Sequence, residues 1–274
     1  MAGAVRVFTL LAVLVLPGMA QRTRLQPDFN IFTVEQDVEL GRRAASELEA
    51  NSAILQNASV TGYLNSLGRS LAAKAPGSNP FQFQLKIIDE KAINAFGAPG
   101  GIVYMNRGTI EAAANEAQLA SVVAHEISHV VLRHGSHQLS KAYVLQGPFS
   151  NLRGLGRTSV ADALAKTSGS FTAGSIVVKN SLEAENQADV LGVQIVYDAG
   201  YDPMEALRFF EIVENRSESA QLPQNHPETS RRIVNVAREI EKLGAVQANV
   251  IVDSIEFQNI KAVLRSGVIH RSHQ

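Results

Sequence analysis

The chain has 274 residues, 45% of them hydrophobic and 19% charged, with a formal net charge of -1, so it can bury one large core or two modest ones. That charge balance, with no long basic stripe or interleaved aromatic platform, argues against nucleic-acid binding. With no cysteine in the sequence, a disulfide and a lipid carried on cysteine are both excluded.

The first segment, MAGAVRVFTLLAVLVLPGMAQ, reads as a signal peptide. It has Arg6, an apolar run from Val7 to Leu16, a Pro-Gly break, and small Gly18 and Ala20 at the spacing a signal peptidase reads. Cleavage is expected after Ala20. An apolar core of about ten residues is short against the roughly 20 a membrane-spanning helix needs. The mature chain, 21–274, is therefore expected to be one soluble domain without a stable membrane span, exported to a periplasm or secreted.

From Gln21 onward no internal repeat or low-complexity tract is visible. In FTVEQDVELGRRAASELEA, Thr33 and Gln36 form a capping box, and Val34, Val38, Ala45 and Leu48 recur at helical spacing. VTGYLNSLGRSLAAKA repeats that period through Val60, Tyr63, Leu64, Leu67 and Leu71, which predicts a second helix. FQFQLKIID then alternates Phe81, Phe83, Leu85 and Ile87 with polar residues, the period of a half-buried strand. In NAFGAPGGIVYMNRGTI, Pro99, Gly100 and Gly101 form a turn before a short strand from Ile102 to Met105, so the two strands are expected to make a hairpin or a small sheet. Asn115 and Gln118 mark another capping box. The helix it opens runs through Leu119, Val122, Val123, Ile127 and Val131 to a glycine cap at Gly135.

The segment SVVAHEISHVVLRHG lies on that helix. His125 and His129, one turn apart, project from the same face and are close enough to reach one zinc ion at about 2.0–2.1 Å. Glu126 leans toward the open coordination position, where a carboxylate can take a proton from water and deliver it to a leaving amine. The same pattern also arises by chance on solvated helices, so a third ligand has to be found. The HExxHxxGxxH arrangement needs glycine and histidine where this chain has Leu132 and Gly135. His134 and His137 are accordingly expected as exposed residues at the helix end.

Better candidates lie in NSLEAENQADVLGVQIVYDAGYDPMEALRFFEIV. Leu182, Val190, Leu191, Val193 and Val196 mark a helix ending at Gly200, with Glu185 and Asp189 one turn apart on it. Either Glu183, Glu185 and Asp189 are three solvated carboxylates, or Glu185 is the third ligand and Asp189 hydrogen-bonds the far ring nitrogen of a zinc-bound histidine. The HEISH helix favours the second reading.

Taken in order, VEQDVELG, NAFGAPGGIVYMNRG, AHEISHVVLRH, ENQAD, AGYDP and NHPETSRRI resemble the zinc metallopeptidase family forty-eight. These are the gluzincins that include the HtpX and CAAX prenyl protease types, and the chain is most similar to their soluble exported BepA and LoiP branch. The resemblance spans Phe29 to Ile233. It implies one zinc ion per chain on His125, His129 and Glu185, with Glu126 as catalytic base and Asp189 as outer partner. It also implies that His226 and Arg232 face the site as further catalytic residues, His226 either covering the metal at rest or stabilising the oxyanion. Asn94 to Tyr104 is implied to bind an extended substrate as an added strand.

Where the family often has an arginine shortly before its ExxxD motif, this chain reads VVKNSLEAENQAD, so Lys179 substitutes or the contact is absent. The Gly- and Ser-rich stretch that precedes it, within 145–180, reads as a loop or lid with a short helix from Ser159 to Ala165. SIEFQNIKAVLRS reads as an amphipathic helix that closes the domain. The combined expectation is a mostly helical α+β fold, a zincin-like domain with a small β-sheet or hairpin beside the active-site helix. It would act as an exported zinc metalloendopeptidase on unfolded or misfolded polypeptides. A zinc-containing holdase of envelope proteins and a purely structural helical domain are the rival readings.

Overall fold

Helix α1 (Val34–Glu49) begins at the expected capping box: Thr33 Oγ1 accepts from Gln36 N, and the Gln36 side chain accepts from Thr33 N. In the computed structural model the residues described are 22–77, 79–146, 159–166, 180–217, 229–244, 248–266 and 270–271. After β1 (Leu55–Gln56), helix α2 (Ala58–Ala72) is capped by Asn57 and buries Val60, Tyr63, Leu64, Leu67 and Leu71. That is the stripe its period predicts.

Strands β2 (Gln84–Ile88), β3 (Ala95–Ala98) and β4 (Ile102–Asn106) form a sheet in the order β2-β4-β3. Central β4 runs parallel to β2 and antiparallel to β3. The two strands legible in the sequence are thus neighbours in a small sheet, while the hairpin joins β4 to β3. Ala95, Gly97 and Ala98 hide β3 because small residues carry no apolar alternation. The intervening turn, Pro99–Gly101, places Gly100 at φ 82° and Gly101 at φ 111°, values that glycine adopts without a Cβ clash. The turn is pressed onto α1, where a Cβ on Gly41 would lie 1.8 Å from Pro99 O.

Beyond α3 (Arg107–Ala112), helix α4 (Glu116–Val131) runs through the core, with Leu119, Ala120, Val123, Ala124 and Ile127 fully buried. Asn115 Oδ1 accepts from Gln118 N at 3.0 Å, but the Gln118 side chain accepts from Ala114 N and donates to Glu205. Half of the expected box forms. The helix also ends earlier than Gly135: Arg133 takes a left-handed φ of 57°, and α5 (His134–Gln146) starts at once. Such a conformation costs about 1–3 kcal/mol in a non-glycine residue. Here the Arg133 side chain is fixed by Asp37 Oδ2 at 2.5 Å, Phe32 O at 2.7 Å and Thr33 O at 3.1 Å.

Helix α6 (Val160–Lys166) occupies the place of the expected short helix, with Ser159 Oγ accepting from Asp162 N. The rest of the expected loop, 147–158 and 167–179 with Lys179, lies outside the described residues, as does the expected signal segment. Helix α7 (Leu182–Asp198), capped by Ser181 and closed by left-handed Gly200, packs along α4. Helix α8 (Met204–Ser217) lies on α4, and α9 (Thr229–Leu243) lies on α7 and α8. The expected closing helix is α10 (Ile255–Arg265), which buries Phe257, Ile260 and Leu264 and packs on α2 and α3. β5 (His270–Arg271) pairs with β1. The fold is α+β and mostly helical, a zincin-like domain with its small sheet beside α4. Among the described residues no helix is long and apolar enough to cross a membrane.

Candidate active site

Helix α4 contributes His125, Glu126 and His129, all buried. One helical turn apart, the two imidazoles bring their Nε2 atoms within 3.0 Å of each other. Helix α7 brings Glu185 from the opposite side: its Oε2 lies 3.4 Å from His125 Nε2 and its Oε1 3.3 Å from His129 Nε2. Gly192 permits this approach, since a Cβ there would meet His125 N at 3.1 Å and His125 Cα at 3.2 Å. Neighbouring ligand atoms on a tetrahedral ion with arms of about 2.0–2.1 Å stand about 3.3–3.4 Å apart. Two imidazole nitrogens and one carboxylate at these separations fit a zinc-type ion.

Glu185 is 0% exposed while Glu183 is exposed, so α7 turns inward the carboxylate that the spacing singles out. A buried carboxylate needs compensation. Arg232, on α9, supplies part of it from 3.2 Å. The same guanidinium makes two 2.8 Å hydrogen bonds to Asp189 and lies 5.0 Å from the centre of the Phe210 ring. Asp189 Oδ1 is 2.9 Å from His125 Nδ1. Burial pushes the Asp189 carboxyl up, but Arg232 and His125 outweigh it and hold it below its usual range.

The histidines divide. Burial drives His129 down to about 3 and His134 to about 4, which keeps both imidazoles neutral. Burial pushes His125 the same way, but Asp189 and Glu185 outweigh it and raise His125 to about 10. An ion bound at His125 Nε2 must therefore displace a proton.

His134 is 2% exposed, against the expectation of an exposed helix end. The left-handed Arg133 turns the chain back so that His134 Nδ1 lies 2.8 Å from His129 Nδ1. His137 is half-buried, with Nδ1 2.6 Å from Phe29 O. His226 lies outside the described residues. Sequence spacing also does not reveal the apolar cavity beside His125 and Glu126. Val122, Val193, Ala206, Phe209, Val213 and Val236 line it. Its wall on α8 comes from FFEIV, which reads as an ordinary amphipathic stripe.

A model of peptidase family M48 matches residues 58–240. This chain belongs to peptidase family M48. The M48 match begins at α2 and ends on α9, so it takes in every element that frames the site. The chain is 27% identical to the beta-barrel assembly-enhancing protease of Escherichia coli (strain K12) over 245 residues, 84% of this chain and 50% of that protein. Its counterpart in Yersinia pestis is 27% identical over 218 residues, 75% of this chain and 44% of that one. The mitochondrial metalloendopeptidase OMA1 of Saccharomyces cerevisiae is 29% identical over 161 residues, 56% and 45% of the two chains. The chain spans about half the length of these relatives or a little less.

Proposed function

We propose that this M48 chain is a zinc-dependent endopeptidase in which His125, His129 and Glu185 hold one zinc ion and Glu126 is the catalytic base. The observation that carries the reading is the convergence of the two Nε2 atoms and the buried Glu185 carboxylate, 3.0 to 3.4 Å apart, with Glu126 beside them on α4. A zinc ion held by His125, His129 and Glu185 would supply Lewis-acid chemistry there, making water more acidic and a peptide carbonyl more electrophilic. Glu126 accepts the water's proton and passes it to the departing nitrogen. Asp189 orients His125 from behind. Arg232, engaged by Asp189 and Glu185, acts as a positioning group.

The substrate lies as an added strand along β3, within Asn94–Tyr104, because β3 is an edge strand of the sheet and the one that runs beside α4. The apolar cavity then takes a substrate side chain next to the bond that is cut. Only an extended chain can add in this way, which favours unfolded or misassembled polypeptides as substrates. In this reading residues 1–20 are a cleaved signal and 21–274 a single domain, and the enzyme is exported. Relatives named for β-barrel assembly point the same way, toward quality control of envelope proteins.

The test is Glu126→Gln, which keeps size and polarity but loses the basic oxygen pair. It is expected to fold, to bind zinc as the wild type does, and to cleave a casein-like unfolded substrate at least about 10²-fold more slowly. Equal cleavage at equal zinc content sinks the mechanism. If neither protein cleaves and both suppress aggregation equally, the chain is a zinc-containing holdase.

A further inference from the structure

The surroundings of the two histidines are asymmetric. Behind His125 stands a carboxylate, Asp189, 2.9 Å from Nδ1. Behind His129 stands a third imidazole, His134, with the two Nδ1 atoms 2.8 Å apart. Two ring nitrogens at that distance share one proton, so one donates and the other accepts. What lies beyond decides which. His134 Nε2 is 3.0 Å from Gln187 Oε1, and the Gln187 amide is oriented by its Nε2, which donates to Glu183 Oε1 at 3.2 Å. A carboxylate can only accept, so the amide oxygen is the atom turned toward His134. His134 Nε2–H is then the donor, and a neutral ring, as burial favours, keeps its lone pair on Nδ1. That leaves His129 donating from Nδ1 and presenting its Nε2 lone pair to the point where His125 and Glu185 converge.

We infer that His134, oriented by Gln187, is a positioning residue that fixes the tautomer and ring plane of His129 for metal binding. The site is thus supported by a carboxylate behind one histidine and a neutral imidazole behind the other. A neutral support adds no further negative charge to a pocket already holding Glu126, Glu185 and Asp189. The inference rests on the reading of His125, His129 and Glu185 as metal ligands. His134 itself touches no substrate.

The test splits the imidazole into its two halves. His134→Asn keeps a polar atom where Nδ1 stood, facing His129; His134→Gln keeps one where Nε2 stood, facing Gln187. Zinc affinity of the full chain is measured by competition with a chromophoric chelator, and the visible spectrum of the Co²⁺-loaded protein reports ligand geometry. The Asn variant is expected to stay close to wild type in both. The Gln variant is expected to lose about 10–100-fold in affinity and to shift the Co²⁺ bands. A residue that merely fills space predicts the reverse order, since glutamine is closer to imidazole in volume.

Gln187 is only half-buried and provides a second pair that leaves the core intact. Gln187→Leu is expected to weaken zinc binding and Gln187→Glu, which keeps an acceptor, to preserve it. Equal affinities within the His134 pair overturn the inference. Should those variants not fold, equal affinities within the Gln187 pair do so. A wild-type chain that takes up no zinc defeats the ligand assignment as well; a wild type that binds zinc, with paired variants that match each other, defeats this inference alone.

Discussion

Arg232 grips Asp189 through two parallel hydrogen bonds of 2.8 Å, and both side chains are almost wholly buried. A guanidinium fork fixes the plane of a carboxylate as well as its charge. Oδ1, which accepts one of these bonds, also lies 2.9 Å from His125 Nδ1, so a histidine on α4 is tied to an arginine on α9, with α7 between them.

Removing the fork should therefore be costly. Arg232→Met leaves Asp189 and Glu185 without their counter-charge and is expected to destabilise the metal-free protein by about 3–5 kcal/mol. Arg232→Lys, which keeps the charge but not the planar pairing, should cost less. Urea unfolding of the three proteins checks this, and an unchanged midpoint for the Met variant would show that the pair is not coupled to stability.

The choice between two carboxylates on α7 can be read directly from metal content. Glu185→Gln should lose most bound zinc on dialysis, because the side chain it alters faces both Nε2 atoms. Glu183→Gln should retain nearly all of it, since Glu183 is exposed and its side chain bonds Gln187 rather than facing the two Nε2 atoms. Zinc-to-protein ratios decide the matter. Equal loss in the two variants refutes the assignment.

Gly192 tests how closely α4 and α7 must approach. A methyl group there would press on backbone atoms of His125, at 3.1 and 3.2 Å, and backbone yields less readily than a side-chain tip. Gly192→Ala should cost about 1–3 kcal/mol by overpacking. It should also weaken zinc binding, because the displaced helix carries Glu185. Calorimetry and chelator competition measure the two effects, and loss of stability with unaltered affinity would separate packing from the site.

Acid stability has an identifiable contributor in Glu239. Its carboxylate accepts from Thr23 N at 2.9 Å, Thr23 Oγ1 at 2.6 Å, Gln194 Nε2 at 2.7 Å and Lys242 Nζ at 3.2 Å. Burial pushes the carboxyl up, but these bonds outweigh it and hold it below the usual value. The folded pKa is thus lower than the unfolded one, near about 4.3. Its stabilisation is complete above the unfolded value and is lost as pH falls through the folded one. Glu239→Gln should lower stability at neutral pH and flatten the decline between pH 5 and 3. Parallel unfolding free energies for the two proteins across that range would rule Glu239 out.

What could be read in advance followed the strength of local signals. Thr33 and Gln36, the stripe on α2 and the HEISH spacing all act within one or two helical turns, where period and capping chemistry are written in adjacent residues. Glu185 is legible through its one-turn spacing to Asp189 and through the resemblance of its segment to an ExxxD motif. By contrast, β3 has three small residues around Phe96 and no apolar alternation, and its place beside β4 depends on Gly100 and Gly101. The end of α4 is not written locally, because Arg133, not Gly135, takes the left-handed conformation, stabilised by acceptors on Phe32, Thr33 and Asp37 that are distant in sequence. His134 is buried rather than exposed for the same reason. Its burial is a consequence of that turn.

The division of the site between α4, α7 and α9 also has a meaning in time. The chain is made from the N-terminus, at about 5–20 residues per second, so the interval between synthesis of His129 and of Arg232 is roughly 5–20 s. A nascent chain that reaches α6 already carries the proposed base and both histidines, together with the sheet and most of the core that surrounds α4, but not Glu185. Two imidazoles alone are a weak hold for an ion. On the proposed ligand set, the site is complete only once the last third of the polypeptide, with Glu185 and Arg232, has been made.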